Sequence, residues 1–453
     1  GPWPQRAVVD PGFYAPVLNV PPEDLRDHVD FTVTRYLGQL VEEVPAAILR
    51  ALRGPRLVEV SDDELASILT ETSLGQFVSR ALTARDRALF GGVLSGDEAS
   101  FATLDFSFVP TEDLLPGMYA APVVALVRRA GPRWQVIALA VDGRVVGPRE
   151  GDLWRFAKCF ALQGAQLRLV SSTHPRLHFP GDVIHAITRT AVPAWHPLQR
   201  LVRPHTRFTL GLHKAVIHHR RSSIHNSQRE MYNPFPYASE GMHKMVASGN
   251  TGVPGNPAWP AYRFDDNLFG EHVPYGRYRR EWFDAWEDFA HAALASVKAG
   301  DAVVRRWADQ ITAWLPGFPS GEAIFEGRAL ARSVASYLCA VTTFHTGDHH
   351  SYATIAMEKM PWRLRAPFAT RAAPGSFDPD ALVSPEDTFR AHLAYALFFK
   401  PAVITSLRDA RYDLDARGMR AVRDFHARMD TLDRRWQGTS FPSSYQIASS
   451  LQY

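Results

Sequence analysis

Residues 344–352 read Phe-His-Thr-Gly-Asp-His-His-Ser-Tyr, "FHTGDHHSY", at the end of an apolar stripe. Within 322–349, Leu330, Val334, Tyr337, Leu338 and Val341 recur at helical spacing, and extending that spacing reaches His345 and then His349. Both imidazoles are therefore expected on the buried face of one helix. Gly347 between them weakens the helix modestly without changing its register. A lone inward histidine is usually a hydrogen-bonded core residue. Two at i and i+4 on one buried face also read as ligands, because an unpaired buried ring is costly and one metal ion would satisfy both. His174 and His178 in "SSTHPRLHFPGD" repeat the spacing. Together the pairs would offer four nitrogens to one ion, a donor set that suits Zn, Cu, Fe or Ni. Pro175, Pro180 and Gly181 leave open the alternative of a surface turn with exposed histidines.

The rest of the composition narrows the classes. The 453 residues carry 50 Lys and Arg against 47 Asp and Glu, a net charge of +3 that gives no general reason to expect nucleic acid or an anionic membrane as partner. Cys159 and Cys339 sit inside apolar segments, where a free thiol behaves as a small hydrophobe, so no disulfide framework is expected. No stretch approaches the roughly 18 uncharged apolar residues of a spanning helix. The start "GPWPQRAVVD" lacks the charged-then-apolar pattern of a leader, so the expectation is a cytoplasmic protein, with Gly1-Pro2 resembling a tag-cleavage scar. Histidine is the outlier, with 18 copies crowded between 174 and 225 and between 345 and 350.

Helical patterns dominate. Residues 22–95 carry capping signals such as "SDDELASIL", where Ser61 precedes carboxylates and an apolar run. The segment 119–141 holds two β-branched apolar runs separated by Gly131-Pro132, which predicts a small hairpin or sheet near 119–146. From 153 onward helical patterns return. Residues 226–278, rich in Pro, Gly, Asn and aromatics, predict a long loop wrapping the helical core. No repeat or low-complexity tract forces a second domain, so 1–453 is read as one unit.

Several motifs, in order, resemble the catalytic domain of the lipoxygenases. "LWRFAKCF" (153–160) is similar to the start of that family's first iron helix, with His174 at the spacing of animal members. "HPLQRLVRPHTRFTL" (196–210) closely resembles the family's H-P-I/L-x-x-L-L/I-x-P-H-x-R-F/Y-T, and His178 precedes His196 at the family distance. The stretch ending in "FHTGDHHSY" resembles the helix that ends in H-A-A-x-N/H-x-x-Q-Y, with "LRAP" (364–367) beyond it. "IASSLQY" resembles the family's I-P-N-S-V/I-S-I ending. The resemblance covers roughly residue 100 to the end and the leading helices.

It implies a mainly α fold, a helical bundle around long iron-bearing helices. It also implies one non-haem iron per chain, held by His174, His178, His345, His349 and the main-chain carboxylate of Tyr453, which suits ferric iron as an anionic oxygen donor. An iron-bound hydroxide held by these ligands would be the catalytic group, and O2 and a polyunsaturated lipid or polyene acid the partners, with a hydroperoxide as product. Leu210 and Leu212 correspond to apolar pocket positions, and both also read as plain core. Lys214, Arg220 and Arg221 stand in a changed register relative to the arginine that meets the substrate carboxylate in animal members. No room precedes residue 22 for the family's N-terminal lipid-binding β-barrel, so no obligatory membrane-docking domain is expected.

Departures from the pattern open alternatives. Pro175 directly follows His174 and disfavours helical geometry there, fitting a helix that begins at Pro175, while Pro180 and Gly181 threaten to break it after one turn. Either His174 ligates from a cap position or another residue such as His185 takes over. Asp182 replaces the longer glutamate one turn after His178, and Asp348 introduces a carboxylate beside the second pair, where it would orient an imidazole or face solvent. The competing readings are an iron enzyme acting on a small non-lipid substrate or peroxide, and a metal-free scaffold retaining the fold. Substrate, regiochemistry and oligomeric state are not legible.

Overall fold

In the computed structural model the described residues are 20–218, 222, 225, 231–251, 270–315, 317–368, 377–400 and 403–452. The long leading helix α1 (Pro22–Arg53) is followed by α2 (Asp62–Glu71), which starts where Ser61 Oγ accepts from the Glu64 amide, as the capping signal predicts. α3 (Ala84–Phe90) opens with a full capping box between Thr83 and Asp86. Strands β1 (Val78–Ser79), β2 (Phe101–Asp105), β3 (Val123–Ala130), β4 (Arg133–Val141) and β5 (Arg144–Val146) form an antiparallel sheet in sequence order. The hairpin expected near 119–146 is its centre. Ala130 faces Arg133 across a turn in which Gly131 adopts φ +61°, a conformation that a β-branched residue would resist.

The helical part comprises α4 (Asp152–Arg168), α5 (His174–Ala191), α6 (Pro197–Val202), α7 (Thr209–His213), α8 (Ser239–Thr251), α9 (Pro274–Ala293), α10 (Ala302–Thr312), α11 (Ala329–Cys339), α12 (His345–Thr354), α13 (Pro379–Leu382), α14 (Pro385–Ala394) and α15 (Ala416–Trp436). The fold is mainly α with one small sheet. Within 226–278, where the composition predicts loop, α8 and the first turn of α9 are helical, so Pro- and Gly-rich flanks concealed a short helix.

Two large apolar cores flank the centre of the molecule. One gathers the sheet, α2 and α4; the other gathers α5, α9, α10, α11 and α15. Lys158 of "LWRFAKCF" is buried and docks α4 on the start of α2, donating to Val60 O at 2.5 Å and to Asp62 Oδ1 at 3.1 Å, while Trp154 Nε1 donates to the same carboxylate at 2.7 Å. In the second core the α9 aromatics Tyr278, Trp282, Trp286 and Phe289 follow helical spacing, and Phe289 stacks on Phe425 of α15 at 4.6 Å.

Candidate metal centre

Two rods built the same way cross between these cores. α4 runs into α5 through a π-helical turn at Leu169–Thr173, and α11 runs into α12 through another at Ala340–Phe344. His174 and His345 each stand at the first position after the wide turn. Such turns insert a residue into the helical ladder and rotate the next stretch of helix, a device common at functional sites.

The helix therefore does not begin at Pro175. His174 itself is helical, with φ −60° and ψ −46°, and the expectation of a cap position there is corrected. The π turn upstream supplies the reason: it widens the spacing around Pro175, which has no N–H to lose and whose ring needs room from the preceding carbonyls. Pro180 and Gly181 do not break α5 either. Gly181 is where the two rods meet, since a Cβ there would lie 3.1 Å from Val341 Cγ1.

The crossing brings four imidazoles together. Ring centroids lie 4.6 Å apart for His174–His178 and His345–His349, 4.7 Å for His178–His345, and 4.8 Å from His174 to both His345 and His349. The Nε2 atom of His178 is 3.0 Å from Nε2 of His174 and 3.0 Å from Nε2 of His345. One ring nitrogen carries either a proton or a lone pair, so His178 Nε2 cannot donate to one of these neighbours while accepting from the other. A single cation receiving all the lone pairs resolves that conflict. Nitrogen ligands about 2.1 Å from a metal and about 90° apart stand about 3.0 Å from one another, which the observed spacing matches. His174, His178 and His345 together offer donor atoms close enough to hold a metal ion.

Burial, and then the neighbouring imidazoles, hold His345 and His349 well below the ordinary histidine range, so both are neutral and available as donors. His349 Nδ1 faces Phe399 O at 3.4 Å, at the end of another π turn (Tyr395–Phe399) following α14.

Asp348 is 1 % exposed and faces inward, not toward solvent: its Oδ2 stands 3.8 Å from His174 Nδ1, and its Oδ1 accepts from Gln76 Nε2 at 3.3 Å. Asp182 is fully buried one turn beyond His178. His185 lies outside the cluster, where its Nδ1 pairs with Thr209 Oγ1, and burial lowers its pKa to about 3. Tyr453, Arg220 and Arg221 lie outside the described residues, but the chain leading to Tyr453 is anchored beside the centre. Ala448 N donates to Thr346 Oγ1 at 3.1 Å, and Gln452 Oε1 accepts from Thr405 N at 2.8 Å. The motif "HPLQRLVRPHTRFTL" holds the same segment: His205 Nδ1 donates to Ser449 O at 2.6 Å, and Ser450 Oγ donates to Arg207 O at 3.0 Å.

His174, His178, His345 and His349 line a cavity of about 680 Å³ whose other walls are largely apolar, among them Phe31, Phe179, Phe398 and Leu212. Lys214 is the one lysine among its described lining residues, which include no arginine, aspartate or glutamate. Leu210 does not reach the cavity; it is buried against Ala186, which corrects its assignment to the pocket. Sequence reasoning missed the contribution of α1, whose His28, Thr32 and Tyr36 line the cavity at i, i+4 and i+8. That spacing was the available signal.

Comparison with solved structures settles the architecture. A lipoxygenase variant solved anaerobically in complex with arachidonate superposes with a TM-score of 0.79 at 14% identity, covering 99% of this chain and 79% of that one. The fold is that of the lipoxygenases. Coral 8R-lipoxygenase is similar with a TM-score of 0.74 at 13% identity, over 96% of this chain and 76% of that one. The manganese lipoxygenase of Gaeumannomyces graminis gives 0.72 at 13% identity, over 97% and 94%. No protein-family model and no curated protein sequence matches the chain. Among the described residues no helix is long and apolar enough to cross a membrane.

Proposed function

We propose that the chain is a non-haem iron dioxygenase that adds O2 to a polyunsaturated fatty acid or related polyene acid and releases a hydroperoxide. The observation that carries this reading is the convergence of three Nε2 atoms, those of His174 and His345 each 3.0 Å from that of His178, on the wall of an apolar cavity of about 680 Å³. His174, His178, His345 and His349 would hold the ion, with Tyr453, next to the anchored Gln452, as oxygen donor. When bound, the iron supplies the one-electron couple needed to take a hydrogen atom from a methylene between two double bonds.

The remaining work belongs to the protein. The two crossed rods hold the imidazoles in place before substrate arrives, so no reorganisation is needed at the reacting carbon. Phe31, Phe179, Phe398 and Leu212 fix an apolar chain in the cavity and keep water from it, and Lys214 offers a charge to a carboxylate. Asp348, facing His174 Nδ1, orients that ring. A small polar substrate would leave most of such a cavity unfilled, which favours the lipid reading over the small-substrate one.

The test is metal content by plasma mass spectrometry on protein purified without chelator, followed by oxygen uptake with linoleic and arachidonic acids. Iron near one per chain, lost in His345→Ala, with uptake on at least one acid, is the expected result. Protein that stays free of iron after expression with iron supplied sinks the proposal and leaves a scaffold that keeps the fold.

A further inference from the structure

The cavity is not uniformly apolar. Along α1, Leu25, Val29, Phe31 and Val33 give it hydrocarbon, but His28, Thr32 and Tyr36 interrupt them with a polar line. At a rise of about 1.5 Å per residue, successive members stand about 6 Å apart along the helix. None of the four iron-binding candidates belongs to this line, and nothing in the dioxygenase chemistry requires it.

His28 is its least accommodated member. The residue is 7% exposed, and among the described residues its Nδ1 has no hydrogen-bond partner. Its Nε2 lies 3.5 Å from Thr32 Oγ1, at the outer limit of a hydrogen bond. The ring has little freedom to turn away. Phe208 meets it edge-on at 5.9 Å, and α7 approaches so closely that a Cβ on Gly211 would come within 2.5 Å of His28 Cβ. Burial lowers the pKa of this imidazole, leaving it neutral with one donor and one acceptor nitrogen, and burial raises that of the Tyr36 phenol, keeping its O–H.

His28 Nδ1 is buried without a partner, and a plain hydrocarbon chain laid along this wall would leave it so while offering nothing to the Thr32 and Tyr36 hydroxyls, a cost for each unsatisfied group. A chain bearing oxygen would pair them. We infer that the cavity selects an oxygenated polyene acid, a chain whose hydroxyl or carbonyl hydrogen-bonds His28 and Thr32, over the parent polyunsaturated acid. This rests on the lipid reading of the same cavity and names its substrate class.

Binding can be read without turnover by anaerobic calorimetric titration of the metal-loaded protein. The probes are arachidonic acid and a panel of its monohydroxy derivatives differing in hydroxyl position. At least one derivative should bind roughly tenfold or more tighter than the parent, because a site built around a hydroxyl rejects the analogue that lacks it. His28→Leu should abolish that preference. The nearly isosteric pair Thr32→Val/Tyr36→Phe should reduce it, which keeps the test intact if His28→Leu fails to fold. The inference is overturned if the parent binds as tightly as every derivative, or if the preference survives in the folded variants. If no acid binds at all, parent included, the lipid reading itself fails, and this one with it.

Discussion

Gly347 sits between His345 and His349 of α12, and replacing it with alanine tests whether the helix is placed by tertiary contact or by its own propensity. On propensity alone Gly347→Ala should stabilise a helix by about 1 kcal/mol. The structure argues the reverse. An added Cβ would lie 2.4 Å from the Tyr275 hydroxyl oxygen and 3.2 Å from Cε2 and Cζ of that ring. Tyr275 cannot retreat, because it is 1% exposed, stacked on Tyr278 at 5.9 Å and tilted against Phe441 at 5.5 Å. Overpacking of this kind costs about 1–3 kcal/mol, so against the propensity gain the net expectation is a loss of about 1 kcal/mol. α12 should also be pushed off the crossing, weakening metal binding. In Gly347→Ala/Tyr275→Phe the 2.4 Å contact vanishes and only 3.2 Å contacts remain, which need a shift of a few tenths of an ångström. Urea unfolding of the wild type, both single variants and the double variant should therefore give a favourable coupling of about 1 kcal/mol or more. If Gly347→Ala proves neutral or stabilising and binds metal as tightly as the wild type, the close packing of Tyr275 on α12 is wrong.

Three further outcomes are expected. Asp348→Asn should lower metal affinity by roughly 10–100-fold, measured by competition with a chelator, because the carboxylate facing His174 Nδ1 loses its charge. Burial lowers His205 from 6.5 to about 4, so between those values the unfolded chain holds a proton that the folded chain refuses. The His205 contribution is complete above pH 6.5 and is lost as pH falls toward 4. It amounts to about 1.4 kcal/mol per pH unit and about 3 kcal/mol in all, and His205→Gln should flatten the dependence of urea midpoints on pH by that share. Lys158→Met should destabilise the protein by about 1.5–3 kcal/mol in the same assay, since it removes the buried ammonium that joins Val60 O and Asp62.

Much of the fold is legible locally. The stripe from Leu330 to Val341 becomes α11 and its π turn, Ser61 caps α2, and Gly131 turns the hairpin, each through a rule spanning a few residues. The helix α5 is misread for the same reason. Pro175, Pro180 and Gly181 all argue against a helix by local rules, yet α5 runs through them, because the π turn makes room upstream and Gly181 gains a close crossing with Val341 in exchange for its flexibility. A rule about one chain segment cannot register a contact made by a residue far along the sequence.

The site divides along the same line. His174, His178, His345 and His349 are visible because i, i+4 spacing forces two side chains onto one face, and two such faces need only meet. Their surroundings are different. Leu210 and Leu212 are equally apolar and two residues apart in α7, which turns them about 200° from one another; one fills core against Ala186, and the other borders the cavity. Hydrophobicity says that a residue leaves water, not whether it meets another side chain or empty space. His28, Thr32 and Tyr36 show the converse: their spacing marks a shared helix face, but only the position of α1 across from the crossed rods turns that face into a wall. The converging imidazoles are thus specified within helices and the cavity wall between them, so the histidine cluster can be read from sequence while the lining of the cavity has to be read from packing.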